Sequence, residues 1–480
     1  MESARACAAP AGLADAEATF LESYPEYHST RFLDQLRQDD YARLDAAGRV
    51  YLDYTGGGLY GLSQVERHAE LLRDHTFGNP HSGNPTSQAT TRLVEQARRK
   101  VLSFFNASPD EYVAVFTANA SAALKLVGEA YPFGPGHHFL LTFDNHNSVN
   151  GIREFARARQ ATFSYVPLVL PEMRIDEADL IGRLERLARV GGHNLFAYPA
   201  QSNFSGVQHP LEWIPRAQAL GWDVLLDAAA FVPTNRLDLG RWQPEFISLS
   251  FYKMFGYPTG IGCLLARRRA LAKLQRPWFS GGTITVASVQ GDQYFLAEGS
   301  SAFEDGTLDY LSIPGVEIGL LHLEAAGLDR IHTRCRCLAE WLIRGLLSLR
   351  HANGQELVRL YGPAGGHLRG GTVTMNFYDP QGQVINHLLI EEEAGRHNIS
   401  LRTGCFCNPG GGEVALELSG TELAGCFSQP QVVETHKFTT DDFRLCIDGK
   451  STGAVRVSLG IVSNFADVHR FLQFAREFIS

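Results

Sequence analysis

The chain has 480 residues, of which 44% are apolar and 20% charged, as in an ordinary globular protein. The net charge of −9 argues against nucleic acid and anionic membranes as partners, and no run of about 18 apolar residues predicts a membrane span. The N-terminus lacks a basic region followed by an apolar core, so we expect no secretory signal and a cytoplasmic location.

The first half of the chain alternates strand and helix patterns. After an N-terminal arm over residues 1–48, a short strand at Arg49–Tyr54 runs into a glycine-rich turn. Helical spacing predicts a helix over Thr90–Phe105, and Tyr112–Phe116 reads as a strand that leads into a helix beginning near Ser121. Further apolar strands follow: Phe139–Phe143, Asn194–Tyr198 and Trp222–Asp227. This alternation predicts an α/β fold with a mostly parallel sheet, over residues 49–312.

The pattern changes near residue 313. Gly315–Leu349 reads as one or two long helices, followed by strands at Thr372–Phe377 and Val455–Leu459 and a final helix over Asp467–Ile479. We therefore expect residues 313–480 to form a smaller α+β domain.

Two side chains indicate the kind of chemistry that the chain could carry out. Asp227 ends one strand, and Lys253 follows a second apolar run with hydroxyls that we read as another strand. A lysine that holds an aldehyde as a Schiff base and a carboxylate that pairs with a pyridinium nitrogen are what pyridoxal 5′-phosphate requires. The alternative is that Lys253 is a solvated surface lysine.

Residues before Lys253 offer places for the rest of such a cofactor. Small residues and a hydroxyl at Ala120 and Ser121 stand where a strand passes into a helix, a position that favours a phosphate. Ser121 is equally readable as a plain helix N-cap. His146 follows a strand and so lies at the ligand-binding edge of a parallel sheet, unless it is only a polar loop residue.

A glycine-rich loop near residue 405 carries two thiols. Cys405 and Cys407 follow Arg402, whose charge favours a thiolate, and the flanking glycines suggest a mobile loop. Inert cysteines or half of a metal site are the alternatives, and we expect no metal because a second ligand pair at suitable spacing is lacking. Eight cysteines in the whole chain are too few for a disulfide scaffold, so we expect reduced thiols.

Several motifs in order give the chain a family resemblance. They are Gly78–Ser82, Tyr198–Gly206, Ser250–Lys253, Phe303–Thr307, Arg402–Cys407 and Val455–Gly460. The chain resembles the class V aminotransferase group on the cysteine desulfurase side. It is most similar to the desulfurase-like N-terminal region of molybdenum cofactor sulfurases. The resemblance implies a fold-type I pyridoxal-phosphate enzyme, with a mostly parallel seven-stranded sheet, a smaller C-terminal domain and a homodimer.

The resemblance also implies roles for individual residues. Lys253 would hold the cofactor and Asp227 its ring nitrogen, while His146 would stack on the ring and Asn203 would bond its phenolic oxygen. Ala120, Ser121 and Ser250 would hold the phosphate, and Thr283 would reach the phosphate of the neighbouring subunit. Arg402 would clamp the substrate carboxylate with its bidentate fork. Cys407, five residues after Arg402, matches the persulfide-forming cysteine, which leaves Cys405 as a secondary thiol.

Three departures from the family pattern bear on function. Ala230 replaces a polar residue near the ring oxygen, and Gly412 stands where many cofactor sulfurases have a third cysteine. The sequence ends at Ser480, before the C-terminal domain of the sulfurases. We therefore expect a stand-alone desulfurase that feeds a separate sulfur acceptor, a protein or a small molecule, or a relative with other pyridoxal chemistry.

The residues and the resemblance leave three alternative functions. The first is a desulfurase that converts cysteine to alanine and an enzyme persulfide on Cys407, with the freed Lys253 or His146 as the base for the α-proton. The second is a specialised C–S lyase or C–C bond-forming enzyme in which Cys407 is dispensable. The third is a non-catalytic scaffold, against which the combination of Lys253, Asp227 and Arg402 argues.

Overall fold

A computed structural model describes residues 11–80, 82–188, 192–429, 442, 446 and 451–480. His81, in one of the family motifs, lies outside the described residues. None of the helices in these ranges combines the length and the apolar character that a membrane span requires.

The N-terminal arm is helical, as the sequence predicts. It consists of α1 (Ala11–Ser23), a 3₁₀ turn (Pro25–Thr30), α2 (Phe32–Asp40) and α3 (Ala42–Ala46). The arm is anchored by Phe20, which is fully buried and packs on Phe465 with ring centroids 4.9 Å apart. It therefore belongs to the folded core.

A seven-stranded sheet forms the centre of the molecule, which confirms the predicted fold class. Its strands are β2 (Tyr112–Thr117), β3 (His138–Thr142), β4 (Thr162–Val166), β7 (Asn194–Pro199), β8 (Trp222–Asp227), β9 (Phe246–Ser250) and β10 (Gly262–Arg267). They lie in the order β2-β10-β9-β8-β7-β3-β4, and only β10 runs antiparallel to its neighbours. Apart from the edge strand β4, the strands are nearly continuous buried runs, because helices cover both faces of a parallel sheet.

Helices and short strands surround this sheet. They are α4 (Leu62–Asp74), α5 (Pro85–Phe104), α6 (Ala120–Ala130), α7 (Asn147–Asn150), α8 (Ile152–Ala158), α9 (Glu177–Leu187), α10 (Trp213–Ala219), α11 (Phe251–Phe255) and α12 (Arg268–Leu271), with β5 (Leu168–Val169), β6 (Arg174–Ile175) and a 3₁₀ turn (Gly299–Phe303). A separate hairpin, β11 (Ile284–Ser288) and β12 (Gln293–Leu296), extends from the body with its side chains largely exposed.

The C-terminal part combines two long helices with a small antiparallel sheet. The helices are α13 (Ile313–Ala326), α14 (Leu328–Leu347), α15 (His387–Arg396), α16 (Pro409–Ala415), α17 (Gly420–Phe427) and α18 (Phe465–Arg476). Strands β13 (Val358–Tyr361), β14 (Thr372–Phe377), β16 (Arg402–Gly404) and β17 (Ala454–Ser458) pair in the order β13-β14-β17-β16. The sequence prediction of a smaller α+β unit agrees with these elements.

The strand that opens the expected large domain pairs with the C-terminal part instead. β1 (Val50–Tyr51) runs parallel to β15 (Ile399–Ser400), and Asp53 bridges to Ser458 of β17. This pairing carries Asp53 to the same place as the thiol loop. The proposed boundaries at residues 49 and 313 stay a prediction.

One cysteine pair differs from the expectation of reduced thiols. Cys426 and Cys446 are joined by a disulfide, with their Cα atoms 5.7 Å apart. The expectation is therefore wrong for this pair, whose sequence separation of 20 residues gave no signal of pairing. Cys405 and Cys407 are free thiols and both are exposed.

Candidate active site

A cavity opens at the carboxyl ends of β3, β7, β8 and β9. Its lining includes Asn119 and Ala120 from one wall, His146 from another, and Asp227 and Lys253 from the floor. Ligands of α/β sheets bind at this edge because loops from neighbouring strands converge there. The structure therefore brings together residues that the sequence pattern had assigned to one site.

Lys253 lies on a helical turn and not at the end of a strand. β9 ends at Ser250, and α11 carries the lysine before Gly256, where φ is 78°, ends the turn. Strand and buried helix cannot be told apart in so short an apolar run, so this part of the sequence prediction is wrong. Burial lowers the pKa of the Lys253 amine and nearby Arg456 lowers it further, while Asp227 opposes them.

Asp227 is held rigidly at the end of β8. Its Oδ1 accepts hydrogen bonds from the Ser248 hydroxyl at 2.8 Å and from the Ala229 backbone N–H at 3.1 Å. The residue is only 9% exposed, so its charge acts in a medium where interactions with a ligand are strong.

The bonds of His146 define its tautomer. Nδ1 accepts the backbone N–H of Ser148 at 3.1 Å, so a neutral ring carries its proton on Nε2. Burial lowers the pKa of His146, with Lys253 adding to the effect and Asp227 opposing it, so the neutral ring is favoured. In this tautomer His146 offers an Nε2–H donor and the flat face of its ring at the cavity wall.

The N-terminus of α6 forms the wall expected to hold a phosphate. Asn119, not Ser121, caps the helix by accepting the Ala122 N–H at 2.9 Å, which rules out the reading of Ser121 as the N-cap. The Ser121 hydroxyl instead meets the Ser148 hydroxyl at 2.6 Å, and Ser250 also lines the cavity. Backbone N–H groups and hydroxyls at a helix N-terminus suit an anion.

Thr283 does not project from the surface. It is fully buried, and its hydroxyl exchanges hydrogen bonds with the backbone of Ser280 at 2.9 and 3.0 Å. The role proposed for it at a neighbouring subunit would require this turn to open. That role stays a prediction.

Asn203 connects the cavity to the thiol loop. Its Nδ2 donates to the Phe406 carbonyl at 2.7 Å, and its Oδ1 accepts from Asn408 at 2.9 Å. The amide nitrogen has a second N–H, which keeps the expected bond to a ring oxygen available. Asn203 therefore also connects the thiol loop to the cavity wall by hydrogen bonds, a role that the sequence did not suggest.

The thiol loop is hydrogen-bonded to the cavity wall in this structure, and the mobility expected from its glycines stays a prediction. The Cys407 carbonyl accepts the Asn147 N–H at 2.7 Å, and Asn408 donates to the Asp144 carbonyl at 2.7 Å. Phe406 and Cys407 both have left-handed backbone conformations, with φ of 56° and 55°, which non-glycine residues adopt only when surrounding contacts impose them. Partial burial raises the pKa of the Cys405 thiol, which lowers the fraction of this residue present as the nucleophilic thiolate.

Arg402 is already paired in this structure. Its Nη2 and Nε donate to Asp53 Oδ2 at 2.6 and 2.9 Å, so the bidentate fork expected to clamp a substrate carboxylate is occupied. Asp53 Oδ1 also accepts from Arg456 Nη2 at 3.0 Å. Arg456 is buried, donates to the Asn203 carbonyl at 3.0 Å and stacks over Phe406 at 4.5 Å.

Asp53 and Arg456 are functional candidates that the sequence reasoning missed. Both stand in segments recognised as strands, and Arg456 lies within a family motif. They lie 349 and 54 positions from Arg402, and only the pairing of β16 with β17 and the approach of β1 bring the three together.

Comparison with known proteins defines the family. The model of the family "Aminotransferase class-V" matches residues 50–471. The chain belongs to the aminotransferase class-V family. It is 37% identical to a molybdenum cofactor sulfurase of Arabidopsis thaliana, over 95% of the chain and 60% of the relative. It is also 37% identical to a molybdenum cofactor sulfurase of Homo sapiens, over 92% of the chain and 51% of the relative. The chain thus spans little more than half the length of these relatives.

Solved structures share the architecture. A cysteine desulfurase from Thermococcus onnurineus superposes with a TM-score of 0.75 at 24% identity, covering 93% of this chain and 98% of that one. The cysteine desulfurase CsdA from Escherichia coli gives a TM-score of 0.71 at 21% identity, covering 93% of this chain and 99% of that one. The fold is that of the fold-type I pyridoxal-phosphate enzymes.

The residues present fit pyridoxal 5′-phosphate, the cofactor of this family. The cavity offers a partly enclosed amine at Lys253, a rigid buried carboxylate at Asp227 and an anion-binding helix end at Ala120 and Ser121. These groups match an aldehyde, a ring nitrogen and a phosphate. The chain is accordingly a pyridoxal-phosphate-dependent enzyme.

Proposed function

We propose that this chain is a cysteine desulfurase-like enzyme. It converts L-cysteine and the Cys407 thiol into alanine and a persulfide on Cys407, and the transferred sulfur atom then passes to an acceptor. The observation that carries this proposal is the anchoring of the Cys407 loop to the cavity wall, through Asn203 to Phe406 at 2.7 Å and Asn147 to Cys407 at 2.7 Å.

The geometry of the cavity supports the cofactor-binding roles proposed for its residues. Lys253 would hold the cofactor covalently, Asp227 its ring nitrogen and the face of His146 its ring. The N-terminus of α6, with Ser121 and Ser250, would receive the phosphate. When bound, pyridoxal phosphate withdraws electrons from the substrate α-carbon, which acidifies the α-proton and weakens the bond to sulfur.

Lys253 is the better candidate for the base that takes the α-proton. Burial lowers the pKa of its amine, which favours the neutral form that a base needs. His146 has its Nδ1 lone pair engaged by the Ser148 N–H and its Nε2 protonated in the neutral ring. We therefore assign His146 to orienting the cofactor ring and donating a hydrogen bond from Nε2.

Arg456 is a second candidate for the substrate carboxylate. It is more deeply buried than Arg402, with 3% against 50% of the side chain exposed, and it binds the carbonyl of the cavity residue Asn203. A buried guanidinium recognises a carboxylate strongly because water competes little. We propose that both arginines contribute, with Arg456 nearer the cavity.

The exposure of Cys407 bears on sulfur transfer. Cys407 is exposed, and the backbone around it is hydrogen-bonded to the cavity wall, so an acceptor can reach the thiol from solvent in the conformation described here. We propose that the acceptor is a separate protein or a small molecule.

Turnover of L-cysteine by two matched variants tests the proposal. Cys407→Ser should form no alanine beyond background, since the sulfur has no thiol to attack, whereas Cys405→Ser should retain most of the activity. Alanine and sulfide are measured by chromatography and by a colorimetric assay in the presence of a reductant. Full alanine release by Cys407→Ser would exclude the persulfide route and favour a C–S lyase.

A further inference from the structure

Asp53 is a buried carboxylate that contacts two arginines at the proposed carboxylate site. Its side chain is 10% exposed, and its two oxygens lie 2.6 Å from Arg402 Nη2 and 3.0 Å from Arg456 Nη2. We propose that Asp53 is a positioning residue that orients both arginines and limits the site to substrates with a single carboxylate. This inference rests on the proposed binding of an amino acid in this cavity.

Charge is the first argument. Two guanidinium groups and one carboxylate leave a net charge of one positive unit, which one substrate carboxylate neutralises. A second carboxylate on the ligand would meet Asp53 and be repelled, because like charges in a poorly solvated site interact strongly. Asp53 therefore selects by charge as well as by shape.

The difference in burial between the two arginines is the second argument. Arg456 is 3% exposed and is held by Asn203 and Phe406 as well as by Asp53. Arg402 is 50% exposed, and its Nε and Nη2 donate to Asp53. Without Asp53, Arg402 is free to turn into solvent and Arg456 loses its counter-ion.

The backbone beside Asp53 is shaped around this ion pair. A Cβ atom at Gly56 would lie 2.5 Å from Asp53 Oδ1 and 2.8 Å from Arg402 Nη2, so a larger residue would displace the pair. The neighbouring Gly57 has room, because its Cβ would lie 3.5 Å from the Tyr252 ring. Gly56→Ala thus disturbs the pair without changing any charge, and Gly57→Ala is its matched control.

A competing role for Asp53 makes the opposite prediction. If Asp53 only occupied the carboxylate site until substrate displaced it, its removal would tighten the binding of every carboxylate. If it orients the arginines, its removal weakens the binding of monocarboxylates and strengthens the relative binding of ligands whose second carboxylate can take the place of the Asp53 side chain.

The test measures propionate and succinate binding to the cofactor-loaded protein by titration calorimetry. Asp53→Asn should weaken propionate binding about tenfold and raise the ratio of succinate to propionate affinity by about tenfold, the change expected for one charged hydrogen bond. Gly56→Ala should shift both quantities in the same direction by a smaller factor, and Gly57→Ala should match the unmodified protein.

Three results would overturn the inference: tighter propionate binding in Asp53→Asn, an unchanged affinity ratio in both Asp53→Asn and Gly56→Ala, or no propionate binding by the unmodified protein. If Asp53→Asn does not fold, Gly56→Ala alone decides. Failure of the proposed function gives a different result. In that case the unmodified protein forms no alanine from L-cysteine, while Asp53→Asn still shifts the ratio of succinate to propionate affinity.

Discussion

At the residue scale, burial and the neighbouring Asp227 act in opposite directions on the protonation of Lys253. Burial lowers the pKa of the Lys253 amine from its usual 10.5, and the Asp227 charge raises it again by stabilising the ammonium form. Covalent capture of an aldehyde requires the neutral amine. The pH at which Lys253 becomes reactive therefore reports directly on this pair.

The rate of pyridoxal phosphate capture by the cofactor-free protein tests this coupling. The rate should rise with pH through a value below 10.5. In Asp227→Asn the rising limb should move to lower pH, because the charge that stabilises the ammonium form is lost. Stopped-flow absorbance follows the capture.

Lys253→Ala should show no cofactor fixed by borohydride, whereas Lys125→Ala, at a lysine whose side chain is 64% exposed, should behave normally. In the pH experiment, a capture rate that begins to rise at higher pH in Asp227→Asn would contradict the assignment of Asp227 as the charge that stabilises the Lys253 ammonium form.

At the element scale, sequence patterns predicted the strands better than the ends of the helices. Thr372–Phe377 was predicted and found with the same bounds, because its apolar run has clear turn signals on both sides. The α6 cap lies at Asn119, two residues before the predicted start, and Lys253 occupies a helical turn. Short segments of this kind are decided by tertiary contacts, which local patterns do not contain.

Long-range ion pairs could not be predicted at all. Asp53 is 349 positions from Arg402 and 403 from Arg456, and no local spacing relates them. Their meeting depends on how β1, β16 and β17 assemble. The bidentate clamp predicted for Arg402 accordingly has a competitor that the sequence did not reveal.

A buried ion pair supports the loop between β3 and α7, which carries His146. His209 Nε2 lies 2.9 Å from Asp144 Oδ2, and each side chain is 1% exposed. Burial raises the pKa of Asp144, but the contact with His209 and the hydrogen bonds of Thr142 and the backbone together lower it below its usual value. His209→Ala should lower the free energy of unfolding by roughly 3–5 kcal/mol, since it leaves a buried carboxylate without its partner.

Urea unfolding followed by circular dichroism measures this loss. Arg216→Ala is the control, because Arg216 and Glu177 form a pair with 46% and 50% of their side chains exposed. Its loss should cost less than about 1 kcal/mol. Equal losses in the two variants would show that burial of the His209 pair has no special importance.

The exposed hairpin of β11 and β12 is informative at the scale of the whole molecule. Val286 is 56% exposed, Phe295 65% and Val289 fully exposed, and Trp278 and Phe279 precede them with similar exposure. A cluster of large apolar side chains of this kind is typical of a protein–protein contact. We propose that the partner is a second copy of this chain, in agreement with the homodimer implied by the family resemblance.

Sedimentation of a hairpin variant tests the homodimer. Phe295→Glu should sediment as a monomer at concentrations where the unmodified protein is a dimer, because a buried charge without a partner opposes association. Leu388→Glu, at a residue that is 56% exposed on α15, should leave the dimer intact. A monomeric unmodified protein with full activity would remove the proposal.

The central claim is that Cys407 receives the sulfur of cysteine, and mass spectrometry tests it most directly. The cofactor-loaded protein is exposed briefly to L-cysteine, alkylated, digested and analysed by peptide. We predict one additional sulfur atom on the peptide of Cys407, located by fragmentation to that residue and absent in Cys407→Ser. Alanine formation without any sulfur adduct on Cys407, or with the adduct on Cys405 alone, would contradict the account.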